Sequence, residues 1–280
     1  MTKQPESNLQ HVLAARYSDA PALDGTEPNN GLLQKMAARG SCRAFLDQPV
    51  PSNWVEMLCA IALASPTKSD LQQRDIVLLQ SSEVRQGLAG LVSGQAWIAD
   101  APMMAVFCGN NRRQRLLHDW HSIPFANDHL DAFFNATGDA AIAMGAFITA
   151  AEALGLGCCP ISAVRNEAAA ISALLGLPDH VFPFAGLAFG FPAQAPVVSK
   201  RLPLRVTCHI DQFTEEKLQN AVIDYDRARA KAQPYTDQRA TEIFGKSDRY
   251  AWSDDKVRQY SQPEREGFGD YVKARGFKLD

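Results

Sequence analysis

Two guanidinium groups and a hydroxyl stand close together at Arg39, Ser41 and Arg43, within the stretch Arg39-Gly40-Ser41-Cys42-Arg43-Ala44-Phe45. Guanidinium forks on either side of a serine make a clamp for a phosphate or another multi-oxygen anion. The same arginines also suit a solvated helix end, where cations complement the C-terminal dipole. Other groups able to hold an oxyanion or a polar ring edge follow along the chain: Thr67 and Lys68, the amide Gln95, and the basic pair Lys200-Arg201. No side chain set for acid–base, nucleophilic or metal chemistry accompanies them. His118-Asp-Trp-His121, with His129 nearby, has ligand-like spacing but lies in a polar stretch without the glutamate of a metalloprotease motif. Gly155-Leu-Gly157 begins like a dinucleotide fingerprint, yet Pro160 stands where the third glycine belongs, and a helix precedes it instead of a strand. No Gly-x-Ser-x-Gly elbow occurs. Cys158 and Cys159 would point to opposite faces of a strand, and read as inert core thiols rather than a redox pair. Anion-binding groups without a reactive side chain suit a site that holds and tunes a cofactor, because the cofactor then carries the reactive atom.

The rest of the composition narrows the class. Of 280 residues, 46% are hydrophobic and 21% charged, as in ordinary globular proteins. A formal net charge of −3 argues against a nucleic-acid partner, which calls for a basic excess. No apolar run reaches membrane-spanning length. The start of the chain, with Glu6, His11, Asp19, Asp24 and Glu27, lacks the apolar core of a signal peptide, so the expected location is cytoplasmic. Cys42, Cys59, Cys108, Cys158, Cys159 and Cys208 show no Cys-x-x-Cys spacing and read as small core residues in a reducing compartment.

The elements that must position the clamp alternate between helices and short apolar strands. Residues 1–28 are polar and proline-punctuated, and read as an N-terminal extension. Leu32, Leu33 and Met36 recur at helical spacing, with Gly40 as a left-handed stop. Ser52 is placed to cap a helix burying Val55, Leu58, Ile61 and Ala62, which a polar loop from Ser65 to Gln72 ends. Ile76–Leu79 and Met103–Cys108 are predicted strands, separated by a helix from Ser82 through Leu91 that ends near Gly94-Gln95. Residues 109–130 read as a loop or surface excursion. Asp139–Leu154 is apolar nearly all round and is predicted to be a helix buried on every side. An extended segment Leu156–Ile161 follows, then a helix from Glu167 to Leu175 with Asn166 as cap and Gly176-Leu177-Pro178 as stop. Val181–Phe191 reads as a central strand despite Pro183, and a helix spans about 214–231. The charged remainder, from about residue 234, reads as a C-terminal arm. This is an α+β pattern.

Taken in order, RGSCRAF, ASPTKSDLQ, SGQAWIADAP, ALGLGCCPISAVRN, LLGLPDHVFPFAGLAFGFP, SKRLP and Trp252-Ser253-Asp254 resemble the nitroreductase family, across about 30–255. The narrower likeness is to its oxygen-insensitive NADPH nitroreductases and NADPH–flavin reductases. That resemblance implies one domain from residue 29 to 280, with a mixed, mostly antiparallel sheet between helices, in an intertwined homodimer with FMN at the interface. It implies that Arg39, Ser41 and Arg43 meet the FMN phosphate and ribityl chain together with Lys200 and Arg201. Thr67 and Lys68 would contact the flavin from the partner subunit. Gln95 would bond the ring edge, and Pro160, Ile161, Ser162 and Ala163 would line its pyrimidine side. The implied activity is hydride transfer from NADPH or NADH through flavin N5 to nitroaromatics, quinones or free flavin, in ping-pong order and with no catalytic side chain. A non-catalytic FMN carrier or sensor on the same fold is the alternative. The chain departs from the family pattern at Pro160, Ser162 and Ala163, where an aromatic residue and two glycines are common. It departs again at Arg39, where histidine is common, and at Ser199, a usual lysine position. NADPH carries a 2′-phosphate that NADH lacks. Of the cations in the tail, Arg239 is the candidate contact for it, as the one that follows the 214–231 helix most closely.

Overall fold

The computed structural model describes residues 8–23, 31–92 and 95–280. Residues 1–7, 24–30 and 93–94 lie outside the described residues, and with them parts of the predicted N-terminal extension and the predicted helix end at Gly94. The elements run α1 (Asn8–Arg16), α2 (Gly31–Ala38), α3 (Ser52–Leu63), β1 (Arg74–Leu79), α4 (Ser82–Leu91), β2 (Met103–Asn110) and α5 (Arg112–Trp120). They continue with α6 (Leu130–Ala153), β3 (Gly157–Ile161), α7 (Ala168–Leu174), β4 (Val181–Gly190), α8 (Leu218–Ala232), α9 (Thr241–Phe244), α10 (Trp252–Tyr260) and α11 (Phe268–Ala274). Two compact units result. The first comprises the described residues up to Gly40 with Val197–Glu264, and the second Ser41–Pro196 with Arg265–Asp280.

In the second unit the strands lie in the order β1-β2-β4-β3, and every ladder is antiparallel. β2 and β4 are central because both are apolar along their whole length, as strands covered on two faces must be. α3 and α6 cover one face, where Phe147 of α6 packs edge-on against Phe107 and Phe189 with ring centroids 5.7 and 5.0 Å apart. Leu88 of α4 and Ile171 of α7 join Met104, Val106 and Ala188 on the other. Pro183 is tolerated because the β2–β4 register slips between Phe107 and Cys108, opposite Ala185 and Pro183. A bulge spares the ladder the N–H that proline lacks. At the C-terminus, Val272 and Phe277 are buried against Phe182 and Ala136 of the same unit.

Several local expectations need correction. Residues 112–120 are helical, not loop. α5 buries none of its own side chains and is held by ion pairs from Arg113 to Asp75 (2.7 Å) and from Arg115 to Asp128 (2.5 Å). α6 begins at Leu130, nine residues earlier than the apolar run suggested, and within the single chain Ile142 of that run is 46% exposed. Ile61 of α3 is likewise exposed. Ser52 is the first helical residue and caps nothing, while Asn166 accepts a hydrogen bond from Arg265 (2.7 Å) instead of capping α7. α2 ends at Ala38, and Gly40 is not left-handed, whereas Gly155 and Gly176 are, as helix stops should be.

The first unit is knit by buried charge. Arg16 of α1, 5% exposed, donates to the carbonyls of Ala37 (2.9 Å), Arg39 (2.6 Å) and Ser199 (3.2 Å). Asp255 of α10, 3% exposed, accepts from Arg239 (3.0 Å), Tyr250 (2.9 Å) and Lys256 (2.6 Å). Burial alone would raise the Asp255 carboxyl, but hydrogen bonds from Lys256 and Tyr250, with the charges of Lys256 and Arg239, hold it below the usual carboxylate value.

Gly157 tests the join between β3 and the clamp. A Cβ there would come 2.6 Å from Cys42 Cβ and Sγ. Gly157→Ala should therefore cost about 1–3 kcal/mol, as overpacking does, read as a lower urea midpoint at unchanged slope.

Candidate functional site

Strand β3 is an edge of the sheet, and the stretch carrying the clamp pairs with it. Ser41 forms an isolated parallel bridge with Cys158, and the Cys42 N–H donates to the Cys158 carbonyl at 3.0 Å. Next along β3 come Pro160 and Ile161, then the short helical turn Ser162–Arg165. Pro160 and Ser162 are exposed and Ala163 is half-buried. Ile161 is 2% exposed and packs with Val164 and Ala188 in the core, so its backbone is what it offers to the surface. The Arg43 guanidinium carbon lies 6.0 Å from the Trp97 ring centroid, within cation–π range. Trp97 belongs to the turn Ala96–Ile98, which Gln95 opens by accepting the Ile98 N–H at 2.9 Å. β3 thus ties Ser41 to Pro160–Ala163, and Trp97 ties Arg43 to Gln95.

Thr67 and Lys68 are elsewhere. They lie in the loop that leads into β1, the opposite edge of the sheet, with β2 and β4 between. The Lys68 side chain is exposed, with Nζ 3.2 Å from Ser69 Oγ. The loop is anchored by a buried carboxylate, Asp139 of α6, which accepts from the Lys68 and Gln73 amides.

In the first unit a cavity of about 540 Å³ is lined by Lys200, Arg201, Arg229, Arg239 and Lys256, with Tyr17, Tyr225, Tyr235 and Trp252 among its aromatic walls. Lys200 is positioned by Tyr225, whose hydroxyl donates to its carbonyl (3.1 Å), and its ammonium reaches the Ala15 carbonyl at 3.4 Å. Arg201 donates to Ser199 Oγ at 2.7 Å, while its own N–H bonds the Arg16 carbonyl at 2.8 Å. Arg229 lies 5.6 Å from the Tyr235 ring centroid, and its Nε is buried without a hydrogen-bond partner. Arg239 is half-exposed and donates its Nε to Asp255. Asp255 is the one carboxylate in a lining rich in cations, so the cavity favours an anion with an aromatic or ring-bearing body. Arg39 is held through its carbonyl by Arg16.

The remaining sequence candidates sit as follows. His118 makes a 3.1 Å hydrogen bond with the Ile123 carbonyl and packs edge-on against Phe125. Among the described residues, no group of histidine, cysteine, aspartate or glutamate is placed to hold a metal. Among the described residues no cysteine is in a disulfide; Cys158 and Cys159 are both buried, and burial, with Asp75 nearby, pushes the Cys108 thiol up to about 12. Cys208 is exposed, against the expectation of a core position. Among the described residues no helix is long and apolar enough to cross a membrane. Sequence reasoning missed Arg16 and Asp139, and it took Arg229 and Asp255 as two of the tail's many charges without singling either out. For Asp139 a signal existed, an acidic residue inside an otherwise apolar helix.

Comparison with known proteins gives the chain's relatives. An FMN reductase [NAD(P)H] of Bacillus subtilis (strain 168) is 29% identical over 254 residues, covering 90% of this chain and 99% of that relative. An oxygen-insensitive NADPH nitroreductase of Salmonella typhimurium is 32% identical over 188 residues, 66% of this chain and 77% of that protein. The solved structure of NADPH:FMN oxidoreductase from Vibrio harveyi complexed with NAD+ superposes with a TM-score of 0.77 at 27% identity, covering 88% of this chain and 98% of that one. The nitroreductase family model matches residues 36–191, and the model of the family's C-terminal domain matches 199–280. The chain belongs to the nitroreductase family.

Proposed function

We propose that this chain is an FMN-dependent oxidoreductase that takes hydride from NADPH or NADH and delivers electrons in ping-pong order to nitroaromatics, quinones or free flavin. The observation that carries the reading is the pairing of Ser41 with β3, directly ahead of the exposed Pro160 and Ser162. It combines an anion clamp and a flat strand end on one rigid edge. The names borne by the relatives, FMN reductase and NADPH nitroreductase, support it.

The residues present fit FMN. A doubly charged phosphate calls for guanidinium and hydroxyl donors, the role this reading assigns to Arg39, Ser41, Arg43, Lys200 and Arg201. A flavin ring calls for an amide at its polar edge and a shallow wall beside it, which Gln95 and the Pro160–Ala163 segment supply. When bound, FMN supplies the hydride-accepting and hydride-donating atom. The protein's part is to hold the ring, orient the nicotinamide and acceptor, and set the local charge. Arg239 is assigned to the 2′-phosphate of NADPH, with the aromatic walls of the basic cavity beside it.

The same reading calls for a homodimer. Thr67 and Lys68 stand on the edge of the sheet opposite the Ser41 bridge, so a flavin touched by both sets takes them from two copies. Met57, Ile61 and Leu63 of α3 and Leu130, Phe134 and Ile142 of α6 are between 41% and 70% exposed, an apolar surface of the kind that marks an interface. Sedimentation should give a stable species of twice 30.6 kDa, and a flavin-loaded monomer would refute the assignment.

Arg43→Ala should purify largely without FMN, with Arg201→Ala less affected. Each charge-assisted phosphate bond is worth about 1.5–3 kcal/mol, or roughly ten- to a hundredfold in affinity. A fully loaded yellow Arg43→Ala protein at micromolar concentration would sink the clamp.

Anaerobic addition of NADPH should bleach the flavin band, and an acceptor panel of a nitroaromatic, a quinone and free flavin should restore it. A flavin that binds but stays oxidised would make the protein a carrier or sensor. In the same experiment Arg239→Ala should raise the NADPH requirement about tenfold while sparing NADH and flavin content. Equal losses with both nicotinamides would mean that Arg239 only supports Asp255.

A further inference from the structure

Between Thr67 and Gln73 the backbone enters the left-handed region three times at residues other than glycine: Ser69 (φ 50°), Asp70 (φ 56°) and Gln72 (φ 51°). Side chains make that region costly, and such residues persist only where the surroundings over-determine them. Here the surroundings do so. The Asp139 carboxylate, 2% exposed, accepts the Lys68 N–H on one oxygen and the Gln73 N–H on the other, each at 2.9 Å. One rigid group thereby grips both ends of the strained run. From α5, Arg113 donates to the Gln72 carbonyl and Gln114 to the Leu71 carbonyl, both at 2.7 Å. Within the loop, the Leu71 N–H bonds the Lys68 carbonyl (2.9 Å) and the Gln72 N–H bonds Thr67 Oγ1 (3.2 Å).

Asp139 lies on a buried face of α6 beside Ala136 and Ala143, both fully buried, and a buried carboxylate is costly unless its oxygens are satisfied. Both of its hydrogen-bond partners are loop amides. We propose that Asp139 is a positioning residue of the flavin site, which fixes the strained 67–73 loop so that Thr67 and Lys68 are presented in a single arrangement. The inference rests on the assignment of Thr67 and Lys68 as flavin contacts. A pre-set loop loses less conformational freedom when the cofactor binds, and left-handed turns at non-glycine residues would relax if the carboxylate released them.

Asp139→Asn keeps the side-chain size but offers one acceptor where two amides need one each. Titrating FMN into the full-length apo-protein, by flavin fluorescence, should show about tenfold weaker binding, the equivalent of one lost charge-assisted bond. Replacing Ser69, Asp70 and Gln72 together by glycine removes the penalty for left-handed backbone. In that background Asp139→Asn should weaken FMN binding by roughly threefold or less. A residue that only stabilised the fold would cause the same loss in both backgrounds. Equal losses, or no loss in either, overturn the proposal. Should Asp139→Asn fail to fold, amide exchange in the wild-type chain decides. Lys68 and Gln73 protected like the middle of α6 support the clamp, and exchange at exposed-loop rates rejects it. A wild-type chain that binds no FMN would refute the flavin reading, while the exchange rates would still judge the clamp.

Discussion

The hydrogen bond from the Cys42 N–H to the Cys158 carbonyl, 3.0 Å long, is the contact on which the candidate site depends. An edge strand presents unpaired backbone groups along its outer side. β3 is such a strand, and the Ser41-Cys42 segment pairs along part of its edge. The close approach is possible because Gly157 has no side chain to meet Cys42. Once the bridge is made, Ser41 is fixed relative to Pro160 and Ser162 through the strand itself. A clamp held by backbone pairing does not have to order itself when an anion arrives.

Charge placement is the second constraint. Arg16 gathers carbonyls from either side of the end of α2 and from Ser199, residues that share no local sequence. Asp255 does the converse, collecting Arg239, Lys256 and Tyr250 about a buried carboxylate. Breaking a buried charge pair by removing one partner leaves the other uncompensated, so each of these groups commits the surrounding backbone to one arrangement. The cavity beside them inherits its basic lining from that arrangement.

Much of the fold was legible in the sequence. β2 and β4 announced themselves as apolar runs, and Gly155 and Gly176 ended their helices as left-handed glycines. The order of the clamp, the Gln95 segment and the strand at Pro160 carried the family likeness, which the match over residues 36–191 bears out. α5 was missed because it has no apolar stripe to read. Its arginines find Asp75 and Asp128, partners that lie outside any local window. The apolar composition of α6 says that the helix needs cover, and Ile142, exposed in the single chain, is a place where a second copy would supply it.

The sequence by itself determined the apolar periodicities, the helix stops and the inventory of anion-binding groups, since each is a property of neighbouring residues and their side chains. Only the tertiary structure decided which of those groups meet. It put Ser41 on the β3 edge and Thr67 and Lys68 beside the opposite edge, and it set Lys200, Arg201 and Arg239 around one cavity. It also turned Asp139, one acidic letter in an alanine-rich helix, into the grip on a strained loop. Hydrogen bonds and ion pairs between residues tens of positions apart follow from the packing of a core around them, and no spacing along the chain encodes that.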